Sequence, residues 1–126
     1  VRNWQSGDVV SSIEIDGLPW CITSVQGHVW IGTESGRILV YNPKTMALLK
    51  VLRQHVGGVY TLLVTRQGQV AVWSGSNDFT VMKWDPAGQF LKLYSGHTNG
   101  VRAILHIGPV LWTGSSDKTI RVWDAE

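Results

Sequence analysis

The chain has 126 residues, 44% of them hydrophobic, and a formal net charge of only +2 from 11 Lys+Arg and 9 Asp+Glu. The basic residues are scattered, which leaves no footprint for nucleic acid or an anionic membrane, and no apolar run approaches the ~18 residues of a membrane span. Cys21 is the single cysteine, so a disulfide framework and a thiolate metal site are both excluded.

In chain order, Val1–Gln5 (VRNWQ) reads as the end of a unit that begins upstream, with Trp4 standing where Trp123 stands in IRVWD. DVVSSIEI (8–15) is β-branched and apolar enough to predict a strand, and Asp16-Gly17 marks a turn. The first unit then runs WCITSV, a Gln26-Gly27-His28 turn, VWIGT, a Glu34-Ser35-Gly36 turn and RILVYN. Cys21 within it reads as a small buried apolar residue of a reducing compartment. Asn42-Pro43-Lys44-Thr45 carries turn chemistry, because Pro43 presets φ and Asn42 can bond its own backbone. MALLKVL (46–52) contains helix formers, yet it is short and fills the slot of DVVSSIEI, so a strand is predicted.

The second unit follows as GGVYTLLVT, a turn at Arg66-Gln67-Gly68, QVAVWSGS, a turn at Asn77-Asp78 and TVMKWD. After the turn Asp85-Pro86-Ala87-Gly88, QFLKLY is again a strand. The third unit is GVRAILHI, Gly108-Pro109, VLWTGS, a turn at Ser116-Asp117 and TIRVWD. Nothing resembles a linker or a second domain.

The spacing is regular. Trp30 to Trp112, Gly32 to Gly114 and Tyr41 to Trp123 are each 82 residues apart. His55 to His97 is 42, whereas Asp78 to Asp117 and Trp84 to Trp123 are 39. The difference falls in the hairpin around Gly68, where a surface turn tolerates insertion. Three repeats result, at approximately 6–42, 46–85 and 89–124. With seven Trp and fourteen Gly, a period of about 40 residues per four-stranded antiparallel unit predicts an all-β propeller.

The third unit carries Gly96-His97, Thr113-Gly114-Ser115, Asp117 and Trp123-Asp124; the second carries His55, Ser74-Gly75-Ser76, Asp78 and Trp84-Asp85. In this order and spacing they resemble the WD-repeat β-propellers. The resemblance implies a structural tetrad in each blade, His55-Ser74-Asp78-Trp84 and His97-Thr113-Asp117-Trp123, in which the indole, hydroxyl, imidazole and carboxylate are linked by hydrogen bonds. The first unit departs from it, with Ile31, Ser35 and Tyr41 where hydroxyl, Asp and Trp would stand.

A hydrolase triad is the rival reading of Ser, His and Asp. The set occurs twice, lies in mid-strand and lacks a Gly-x-Ser-x-Gly elbow, so no catalytic residue is expected. His28, His55, His97 and His106 show no paired ligand spacing, so no metal or cofactor is expected either.

The resemblance further implies that partners grip the narrower, top face. Its contact positions fall on Leu18, Trp20 and Glu34, on Gly58, Tyr60 and Asn77, and on Gly100, Arg102 and Ser116. Trp, Tyr and Arg are the side chains enriched at binding hot spots, which singles out Trp20, Tyr60 and Arg102; packing between blades is the competing role for the two aromatics. Trp30, Trp73 and Trp112 recur at one strand position and are expected to pack.

The function expected is a non-enzymatic, intracellular scaffold binding a protein or peptide, with no nucleic-acid or membrane partner. The alternative is a regulatory segment of a larger signalling enzyme such as an exchange factor, kinase or lipid phosphatase. Three blades fall short of the ~4–8 of closed rings, and the last lacks its fourth strand while 8–15 is spare. Two isolated copies are therefore expected to exchange that strand in a six-bladed homodimeric ring.

Overall fold

The computed structural model describes residues 7–125, so Val1–Gln5 and the position of Trp4 lie outside the described residues. Apolar residues alternate along short segments bounded by turn residues, and these segments pair into three antiparallel sheets. The first sheet is β1 (Pro19–Val25), β2 (His28–Thr33), β3 (Ile38–Tyr41) and β4 (Leu48–Leu52), in that order. The second is β5 (Val59–Thr65), β6 (Ala71–Ser76), β7 (Val81–Trp84) and β8 (Phe90–Tyr94). The third is β9 (Val101–Ile107), β10 (Val110–Ser115) and β11 (Ile120–Asp124).

The fold is thus all-β, built of propeller blades that do not close into a ring. MALLKVL supplies β4, the outer strand of the first blade. The third unit has three strands among the described residues, as expected of a blade without its fourth, and one expectation needs correction: 8–15 forms no strand. A strand is defined by its ladder, and the β-branched residues of 8–15 pair with no strand among the described residues.

Each strand turns alternate side chains to the preceding and the following blade. Trp30, Ile38 and Val40 of the first blade meet Val72, Met82 and Trp84 of the second in one core. Trp73 and Val81 on the opposite side of the second blade meet Leu111 and Trp123 of the third in another. Trp30 and Trp73 are 0% and 1% exposed, as packing residues should be, whereas the equivalent Trp112 is 40% exposed. That difference is positional: no blade covers the far side of the third sheet among the described residues. Cys21 is half-buried against the first core, and its Sγ–H donates to the Val59 carbonyl at 3.4 Å.

Candidate functional site

In the second blade, Trp84 Nε1 donates to Ser74 Oγ at 2.8 Å. Ser74 Oγ lies 2.7 Å from His55 Nε2, and His55 Nδ1 lies 2.8 Å from Asp78 Oδ2. The third blade repeats this with Trp123 to Thr113 at 2.8 Å, Thr113 to His97 at 2.7 Å and His97 to Asp117 at 2.8 Å. Donors and acceptors match when the imidazole proton sits on Nδ1, donated to the carboxylate, and Nε2 accepts the hydroxyl. Ser74 and Thr113 are 0% and 1% exposed, so each hydroxyl is enclosed by its partners.

The carboxylates hold the loops. Asp78 Oδ2 accepts the Val56 N–H and its Oδ1 accepts from Thr80, while Asp117 receives Thr98 and Thr119 in the same way. Burial works against the Asp78 carboxylate, but hydrogen bonds from His55 and Thr80 prevail and hold its pKa down at about 2. Hydrogen bonding from Thr119, against desolvation and joined by His97, keeps Asp117 below the usual carboxylate range. Sequence reasoning missed Thr80 and Thr119; the recurring Asp-x-Thr at 78–80 and 117–119 is the signal that marks them.

The first blade has no such relay. Thr33 Oγ1 donates to the Arg37 carbonyl at 2.8 Å and lies 3.0 Å from Ser35 Oγ. Gly36, at φ +90°, occupies the left-handed turn position that Phe79 (+78°) and Lys118 (+71°) fill in the other two blades. Glycine is required at that point, because a Cβ on Gly36 would stand 2.8 Å from the His55 carbonyl oxygen.

The other predicted residues gather along one rim. The rings of Trp20 and Tyr60 stack with centroids 4.9 Å apart and planes 5° apart. The Arg102 guanidinium carbon lies 4.1 Å from the Tyr60 ring centroid, so the three side chains form one continuous row across three blades. Their polar edges are tied down: Tyr60 O–H donates to Asn77 Oδ1 at 3.1 Å, and Arg102 Nε donates to Ser116 Oγ at 2.8 Å. Glu34 Oε1 accepts the Leu18 N–H at 3.2 Å. Gly58 and Gly100 make the row possible, since a Cβ on Gly58 would collide with the Trp20 ring and one on Gly100 would stand 2.9 Å from Tyr60 Cε2. Trp20 nevertheless remains 43% exposed.

Antiparallel blades, the two relays and the Trp-Asp endings define a class of repeat protein. The WD40 family profile, described as "WD domain, G-beta repeat", matches residues 46–85 and 88–124, and the chain belongs to that family. It is 37% identical over 75 residues to "WD repeat-containing protein pop1" of Schizosaccharomyces pombe (strain 972 / ATCC 24843), a match spanning 59% of this chain and 9% of that protein. Among solved structures it is similar to that of U3-55K and to the RRP9 WD40 repeats, each at TM-score 0.75 and 16% identity over 90% of this chain. The computationally designed Ika8 protein matches at TM-score 0.70 and 27% identity over 82% of this chain. The chain spans 38%, 37% and 32% of those three structures.

Proposed function

We propose that this chain is an interaction scaffold, of the kind its family generally provides, and that it grips a protein or peptide partner across the Trp20–Tyr60–Arg102 row. The stacking of those side chains over each other is the observation that carries the reading. Large, flat side chains held rigid before binding lose little conformational entropy when a partner arrives. Asn77 and Ser116 fix the polar edges, and Glu34 borders the Trp20 end. The two relays are structural in this reading, because a hydroxyl enclosed by an indole and an imidazole is not presented to a substrate. A phosphate-tracking surface would need several cations, and Arg102 alone supplies one, which favours a protein partner over nucleic acid. An unpaired Cys21 fits an intracellular setting.

Capture of a partner on the immobilised chain, followed by dissociation kinetics, tests the row. Tyr60→Ala and Arg102→Ala should each weaken capture about tenfold with little change in melting temperature. Loss of stability in proportion to loss of capture would return both residues to packing.

The same reading extends to assembly. The exposed side of the third blade displays Trp112 and Ile120, at strand positions that the cores bury as Trp30 and Ile38 in the first blade and as Trp73 and Val81 in the second. A second copy would cover that side with its own first blade, and its residues 8–15 would extend the β11 edge, giving six blades. Sedimentation velocity should show a dimer of the isolated chain; a monomer that unfolds sharply would overturn the paired ring.

A further inference from the structure

The two contacts between blades are built to one plan and differ at one end. Where the first blade meets the second, Val25, Val40 and Val64 close the interface beneath Trp30 with apolar groups. The strand registers place Thr65, Lys83 and His106 at the equivalent positions where the second blade meets the third, beneath Trp73. Three apolar residues have become a hydroxyl, an ammonium and an imidazole, and the interface opens into a cleft of about 290 Å³. This end lies opposite the Trp20–Tyr60–Arg102 row, because Tyr60 is the second residue of β5 and Thr65 its last.

The cleft is organised. Lys83 Nζ lies 5.0 Å from the Trp73 ring centroid, and the His106 ring stacks on the same indole at 6.3 Å and 25°. Trp73 Nε1 donates to Thr65 Oγ1 at 3.0 Å, whereas Trp30 Nε1 in the apolar interface has no hydrogen-bond partner among the described residues. Gln67 and Gln69 stand at the mouth. No acidic side chain lines the cleft among the described residues, and Lys83 forms no ion pair among them. An ammonium has three donors and no acceptor, so it and the imidazole border a space whose lining carries no carboxylate among the described residues. Asp85, the acid nearest in sequence, instead accepts the backbone N–H groups of Ala87 and Gln89.

We propose that this cleft is a binding site for a carboxylate, that of an acidic side chain or chain terminus of a partner, held by Lys83 and His106 against the Trp73 indole. The volume admits such a group with room for water beside it, at the small end of known ligand sites. The site is independent of the aromatic row on the other rim.

The test is a titration of the full chain with sodium succinate at constant ionic strength, followed by ¹H–¹⁵N resonances. Saturable shifts at the Trp73 indole and at His106 are expected, with the Trp20 indole unmoved. Lys83→Met keeps the stem over Trp73 and should weaken binding at least tenfold. Lys83→Val/His106→Val restores the apolar pattern of the first interface; it should fold at least as well and bind no succinate. Equal responses to succinate and chloride, tighter binding of inorganic phosphate than of succinate, or unchanged binding by the doubly apolar variant would each overturn the proposal.

Discussion

Ser74→Ala isolates the energetics of the relay. The substitution removes one oxygen whose two partners are both buried: Trp84 is 2% exposed and His55 is 5% exposed. The Trp84 indole N–H and His55 Nε2 would each lose a hydrogen bond, at 2.8 and 2.7 Å, in a place water does not reach. A stranded buried polar group costs about 1–3 kcal/mol, and the vacated volume is too small to add much. The expected loss is about 2–4 kcal/mol, which for a domain of this size lowers the melting temperature by roughly 8–16 °C. Urea unfolding followed by Trp fluorescence measures it, with the slope against urea unchanged. In a Trp84→Phe background one stranded group is already gone, so Ser74→Ala should cost about 1 kcal/mol less. A single-variant loss below about 0.5 kcal/mol, or strict additivity in the pair, would refute a shared hydroxyl as the centre of the relay.

The turn of the first blade supports a second expectation. Gly36→Ala forces a side chain into a left-handed turn and towards the backbone of the segment entering the next blade, so a loss of at least about 2 kcal/mol should appear in the same urea experiment. Acid provides a third. The pKa of Asp78 is depressed in the folded chain to about 2, below its unfolded value, so its contribution is complete above about pH 4 and is lost as pH falls from there towards 2. Stability measured between pH 5 and 2 should therefore decline, and Asp78→Asn should flatten that decline while lowering stability at pH 7.

Much of the fold was legible because its blades repeat the same chemistry at the same spacing. The strand pair 111–124 could be aligned with 72–85 residue by residue, and the structure joins Thr113, Asp117 and Trp123 to His97, and Ser74, Asp78 and Trp84 to His55. Features that depend on a partner were not legible. Residues 8–15 have strand composition, but composition does not supply an edge to pair with. The register shifts near Pro19, Val59 and Gly114 leave no mark in the sequence, yet they set which side chains face the next blade. The positions of Trp20, Tyr60 and Arg102 could be marked one at a time, but their stacking arises only where successive blades meet. The cleft was missed for a related reason: Lys83 and His106 are ordinary in their own strands, and their departure from the valines of the first interface shows only across blades.

The relays and the aromatic row are coupled through the chain itself. Asn77 and Ser116, which hold the polar edges of Tyr60 and Arg102, immediately precede Asp78 and Asp117. Each aspartate is fixed by its histidine and by its threonine two residues on, so the loop that ends in it has little freedom. In the second and third blades a buried lock thereby sets the position of a rim side chain, which is the second layer of support that the proposed binding row requires. The first blade lacks the lock, and its rim residues are held differently. Glu34 there bonds the Leu18 backbone and not Trp20, so Trp20 is positioned by stacking on Tyr60 and by the space above Gly58. The row is therefore graded, polar and firmly held at Arg102, apolar and held only by ring contact at Trp20. A partner that binds along it should meet a fixed donor at one end and an adaptable aromatic surface at the other.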